Sequence, residues 1–75
     1  MRYVELQRRV GEKIRSVREE YGETQVEFAS KLKSSQKHIS SWENGLIIPN
    51  TKKLILFSNT YNVSLDWLFD IQIQE

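Results

Sequence analysis

Four short polar residues divide this chain into helix-sized pieces: Thr24, Ser35, Asn50 and Ser64 each precede an apolar pattern with spacings of three or four. Such side chains accept a hydrogen bond from a backbone amide two or three positions on, satisfying donors that the first turn of a helix leaves free. Thr24-Gln25-Val26-Glu27 is the most complete of them, a capping box in which Glu27 also reaches back to the Thr24 amide. Stop signals alternate with these starts. Gly22 and Gly45 suit the left-handed position after a helix end, and Asn62 marks a third end.

The apolar spacing agrees. Leu6, Val10, Ile14 and Val17 form one stripe of a first helix at about residues 8 to 21. Tyr3 and Leu6 continue the stripe upstream, while Gly11 weakens it there by about 1 kcal/mol relative to Ala. Val26, Phe28, Ala29 and Leu32 give a second helix its apolar face, and Ala29 is small enough for a close crossing. Ile39, Trp42 and Leu46 space a third, which follows the second after a tight turn. Pro49 keeps residues 46–50 in a loop. Leu54, Phe57, Ser58 and Tyr61 share one face of a fourth helix that Ile55 and Leu56 make apolar nearly all round, as suits burial at the centre of a bundle. Leu65, Leu68 and Phe69 turn inward from a fifth, with Asp66 in its first turn. The expected fold is all-α: a compact five-helix bundle, one domain over residues 1–75 with its core at about 10–69 and a tail at 70–75.

Composition narrows the chemistry. At 75 residues with no cysteine, the chain is too short for a multidomain enzyme and has no disulfide or thiolate metal site. His38 is the only histidine, which excludes a structural zinc site, and no nucleophile stands in a catalytic pattern. A non-enzyme without cofactors is expected. No apolar run approaches the ~18 residues that span a bilayer, and charges interrupt the N-terminal stretch, so a cytoplasmic protein without a membrane partner is expected. The net charge of +1 conceals a polarity: residues 31–53 carry five lysines against Glu43 alone, whereas residues 54–75 carry Asp66, Asp70 and Glu75 and no Lys or Arg. A basic middle suits a polyanion such as nucleic acid, and the acidic, apolar end is held away from it.

Thr24-Gln25-x-x-Phe28-Ala29-x-x-Leu32, Ile39-Ser40-x-Trp42-Glu43-Asn44-Gly45, Pro49, Leu54 and Val63-Ser64-Leu65-Asp66-x-Leu68 closely resemble the Cro/cI (XRE) family of repressor-type DNA-binding domains over about residues 10 to 69. The resemblance implies a lambda-repressor-like helix-turn-helix domain whose third helix, at about residues 36–44, lies in the major groove of double-stranded DNA. It places Gln36, Lys37 and His38 in the turn that approaches base edges, followed by Ser40 and Ser41, short enough to let the helix sit deep. Gln36 suits adenine N6 and N7, and Lys37 suits guanine O6 and N7. His38 stays open between a groove contact and a solvated helix residue. The same likeness makes Gln25, Ser35, Lys33, Asn44, Lys52 and Lys53 phosphate contacts and pairs Arg18 with Glu43, the arginine also reaching phosphate. Phe28, Trp42 and Trp67 read as packing residues, because they sit on apolar stripes rather than among exposed cations.

Two positions do not follow the usual rules. Lys52 and Lys53 fall in the first turn of the fourth helix, where the macrodipole disfavours cations by about 0.3–1 kcal/mol; a phosphate beside the preceding loop would favour them. Lys33 and Ser34 stand where the family usually has a glycine and an apolar residue, and positive φ at Lys33 costs on the order of 1 kcal/mol. The expected function is a sequence-specific transcriptional repressor without a small-molecule ligand. It acts as a homodimer joined through Leu68, Phe69, Ile71 and Ile73, on a near-palindromic operator with half-sites about 10 bp apart. An alternative on the same fold is a protein-interaction module of antitoxin or anti-repressor type, whose partner takes that apolar end.

Overall fold

The computed structural model describes residues 2–70, which form five helices and no strand: α1 (Tyr3–Glu20), α2 (Gln25–Lys31), α3 (Gln36–Glu43), α4 (Thr51–Tyr61) and α5 (Leu65–Phe69). Every cap read from the sequence is made. The Thr24 hydroxyl accepts from the Glu27 amide at 3.1 Å while the Glu27 carboxylate accepts from the Thr24 amide at 2.9 Å. Ser35, Asn50 and Ser64 accept from the amides of His38, Lys53 and Trp67 at 3.2, 3.0 and 3.0 Å.

The first helix begins at Tyr3, the upstream of the two starts that the apolar stripe left open, and Gly11 lies inside it, buried. A Cβ there would sit 2.2 Å from the Trp42 carbonyl oxygen and 3.0 Å from that of Glu43. The absent side chain is what lets α1 cross α3 backbone to backbone. The weakness it lends α1 is the condition of that crossing.

Val10, Ile14 and Val17 of α1 meet Phe28, Ala29 and Leu32, Ile39 and Trp42, Leu54, Phe57 and Tyr61, and Leu68 in one core. Phe28 stacks on Tyr61 at 5.0 Å and meets Phe57 edge-on at 6.0 Å, contacts that add about 0.5–1.5 kcal/mol each beyond area burial. α3 is held from two sides, by α1 and by α2.

Three expectations about burial are corrected. Val26 is 59% exposed, because α2 turns only its Phe28 and Ala29 side onto the core. Ile55 is also exposed, so α4 has an outer face and does not run through the centre of the bundle. Trp67 is 43% exposed: its ring lies 5.2 Å beneath the Lys13 ammonium, which donates to the Trp67 carbonyl at 2.5 Å. α5 lies along α1 and is too short to turn more than Leu68 fully inward; Asp70 fastens it there by pairing with Arg9 and lying 3.9 Å from Lys13. Among the described residues no helix is long and apolar enough to cross a membrane.

Candidate nucleic-acid interface

The period of α3 separates its residues into two sets. Ile39, Trp42 and Glu43 are buried, Gln36, Lys37 and His38 are exposed, and Ser40 and Ser41 are half-buried. All five sequence-predicted base-reading residues are thus at least partly open to solvent. The His38 ring is tied back to the turn, its Nδ1 lying 3.1 Å from the Ser34 hydroxyl, and the Asn44 amide donates to the Ser40 hydroxyl at 3.2 Å.

What fixes this helix is a buried carboxylate at its last residue. The Glu43 side chain is 0% exposed. Arg18 donates to it through Nε at 2.7 Å and Nη2 at 3.0 Å, Gln25 donates at 3.1 Å, and Arg15 stands at 3.4 Å. Burial pushes the Glu43 pKa up, but the hydrogen bonds from Arg18 and Gln25 and the charges of Arg18 and Arg15 more than offset it. The group is held below the ordinary carboxylate range. One carboxylate therefore joins α1, α2 and α3. The link continues outward, because Gln25 Oε1 accepts from Gln36 Nε2 at 3.4 Å, so a chain of contacts runs from Arg18 to an exposed side chain of α3.

Several expectations change in this light. Arg18 was expected to reach phosphate as well as Glu43, yet its third nitrogen donates to the Glu23 carbonyl at 2.8 Å and its side chain is 14% exposed. Nε, Nη1 and Nη2 each donate inside the protein, so Arg18 joins α1 to the end of α3 and to the α1–α2 turn. Arg15, not singled out in the sequence, is half-exposed beside the same carboxylate; its position one turn before Arg18 on α1 was the available signal. Leu68 is fully buried in the core of its own chain and offers nothing to a second copy, while Phe69 is partly buried. Ile71 and Ile73 lie outside the described residues.

The lysines divide as well. Lys53 places its ammonium on backbone, donating to the carbonyls of Leu32 at 2.9 Å and Lys33 at 2.6 Å. Lys31 pairs with Glu23, whose carboxylate also accepts from the Tyr61 hydroxyl at 2.6 Å, and the Tyr21 hydroxyl donates to the Tyr61 carbonyl at 3.2 Å. This clasp ties the α1–α2 turn to α4, and sequence reasoning missed it. Burial pushes the Glu23 carboxyl up, and Lys31 and Tyr61 bring it below its ordinary range; burial and the Glu23 carboxylate raise the Tyr61 phenol. Of the five lysines between residues 31 and 53, only Lys53 is half-buried; Lys31 is exposed but paired with Glu23, and Lys33, Lys37 and Lys52 are exposed at the surface. Gln25 and Ser35 flank them at the starts of α2 and α3, Gln25 half-buried and Ser35 exposed.

A family model described as helix-turn-helix matches residues 14–68. The chain is 37% identical over 59 residues to the HTH-type transcriptional regulator ImmR of Bacillus subtilis (strain 168), a likeness covering 79% of this chain and 46% of that protein. The chain thus spans about half the length of that curated relative. No solved structure is significantly similar to it.

Proposed function

The chain belongs to the helix-turn-helix family, in its Cro/cI (XRE) type, and from that premise we propose that it is a sequence-specific, double-stranded DNA-binding transcriptional regulator that represses by occluding a promoter. One observation carries the reading. α3 leaves Gln36 and Lys37 exposed and Ser41 half-exposed while its last residue, Glu43, is anchored to both α1 and α2, which gives a fixed polar helix face of the kind a major groove accepts. Gln36 reads adenine and Lys37 guanine, with His38, Ser40 and Ser41 beside them. Gln25, Ser35, Lys33, Asn44 and Lys52 hold phosphates, and Arg15 takes the place first given to Arg18. That the relative is a transcriptional regulator supports regulation as the outcome.

Two copies acting as a homodimer place their α3 helices in successive major grooves about 34 Å apart, which requires a near-palindromic operator. Phe69, Ile71 and Ile73 are the residues proposed to join them, and the cytoplasm is the proposed location.

The test is selection of duplex DNA from a random pool at about 150 mM salt, where phosphate contacts alone weaken, with a Gln36→Ala, Lys37→Ala double variant in parallel. A two-fold-symmetric motif recovered by the wild-type chain and lost by the variant is expected. No enrichment by folded protein would overturn the reading in favour of a protein-interaction module.

A further inference from the structure

We propose that Lys53 is a positioning residue for DNA recognition: it clamps the α2–α3 turn from α4 and does not contact phosphate. The inference rests on the DNA-binding reading above. It starts from the cation that the first turn of α4 should disfavour. Asn50 caps the Lys53 amide at 3.0 Å, so its backbone is an ordinary helix start. Its side chain leaves that start and crosses to the other end of a different helix, where the Leu32 and Lys33 carbonyls accept from it at 2.9 and 2.6 Å. The ammonium thus exchanges the positive end of one helix dipole for the negative end of another, at carbonyls that have left the helical ladder.

Those carbonyls belong to the turn that sets where α3 begins. α2 ends in a two-bond motif: the Ser34 amide donates to the Ala29 carbonyl at 2.9 Å and the Lys33 amide to that of Ser30 at 3.3 Å. The motif requires a left-handed residue, and Lys33 supplies it at φ 51° despite its Cβ. A backbone held in a disfavoured region persists when surrounding groups over-determine it. Lys53 is such a group. Without its ammonium, the Lys33 backbone spends more time outside the left-handed well, and the population in which Gln36 and Lys37 face the groove falls.

Lys53→Met keeps the stem and removes the charge; Lys52→Gln is the comparison for a true phosphate contact, and Lys33→Gly removes the strain that the clamp opposes. Amide hydrogen exchange tests the clamp without DNA. In Lys53→Met, the Ser34 amide should exchange roughly three- to tenfold faster while that of Phe57 keeps its rate, and Lys33→Gly/Lys53→Met should return Ser34 to within about twofold of wild type. The second arm measures binding to a duplex of roughly 20 base pairs carrying the selected motif, under conditions where circular dichroism shows every variant folded. Lys53→Met should bind roughly three- to tenfold more weakly with an unchanged slope of log affinity on log salt, whereas Lys52→Gln should lower that slope by about 0.9. Because Lys33→Gly itself removes a proposed phosphate contact, the double variant is compared with Lys33→Gly alone: in that background Lys53→Met should weaken binding by no more than about twofold, a loss of effect that a merely stabilising lysine would not produce. A slope changed by about 0.9 in Lys53→Met would make Lys53 a phosphate contact and overturn the proposal, as would an unchanged Ser34 exchange rate. If the wild-type chain binds no duplex, the DNA reading fails, and the exchange arm still decides whether the clamp exists.

Discussion

The turns on either side of α3 use one hydrogen-bond pattern and reach it with different residues. After α2 the left-handed position is Lys33, at φ 51°; after α3 it is Gly45, at φ 73°, with the Leu46 amide donating to Ser41 at 2.9 Å and the Gly45 amide to Trp42 at 3.1 Å. A Cβ added at Gly45 would lie 2.9 Å from the Cα of Arg8, a backbone atom that cannot swing aside, whereas the Lys33 residue is exposed. Gly22, which ends α1 in the same way at φ 68°, has nothing within 4 Å of that position. The motif asks only for a left-handed backbone. Whether it must be glycine is decided by the neighbouring chain, and where the surroundings are open another residue serves if something holds it.

Each turn is also secured by a charge, and the largest expected effect comes from removing the buried one. Glu43 closes α3 with an ion pair sheltered from water, so Glu43→Gln should destabilise by about 3–5 kcal/mol, because the guanidinium of Arg18 is left uncompensated. The same group sets an acid response. Its folded pKa lies below the unfolded value of about 4.3, so its contribution is fully present above that pH and is lost as pH falls through the folded value. Urea titrations should show wild-type stability falling below about pH 5 more steeply than that of Glu43→Gln. Parallel pH curves would remove the buried pair from the account of why α3 holds its place.

The glycines come next. Gly45→Ala combines the left-handed penalty of about 1 kcal/mol with a collision against the α1 backbone, and an overpacked contact of this kind costs about 1–3 kcal/mol more. Gly22→Ala bears the first term alone, about 1 kcal/mol. Urea midpoints of the two variants measure the difference directly. Equal losses would mean that α1 shifts freely at Arg8 and that the close approach does not select glycine.

These effects mark the boundary of what the sequence makes legible. Caps and stops are local: a hydroxyl at Thr24 or Ser35 and the glycines at 22 and 45 act within a few residues, so the element boundaries they mark were readable, whereas the start of α1, which has no side-chain cap, was not. Burial at Val26, Ile55 and Trp67 depends on which helix lies opposite, which periodicity does not contain. Gly11 shows this most clearly, since the residue that reads as a weak point in α1 is where α3 crosses it. In the site, the pairing of Arg18 with Glu43 was legible through family resemblance, and the bond from Arg18 to the Glu23 carbonyl was not. Lys53 could be recognised as misplaced. The carbonyls that explain it are about 20 residues away in the chain, beyond any local rule.

The smallest effect separates backbone strain from side-chain contact at the α2 turn. Lys33→Gly relieves the positive-φ penalty, of order 1 kcal/mol, but glycine also gives the unfolded chain more freedom, which subtracts part of the gain. A net stabilisation of about 0.5 kcal/mol is expected, which in a domain of this size raises Tm by about 2–4 °C in a calorimetric scan. Lys53 does not cancel this gain, because its ammonium binds carbonyls and leaves the Lys33 Cβ in the same crowded geometry. A lowered Tm would mean that the Lys33 side chain contributes a contact larger than the strain it causes. The two turns would then differ in more than the presence of a Cβ, and the lysine would have to be explained by what its side chain touches rather than by the open space that tolerates it.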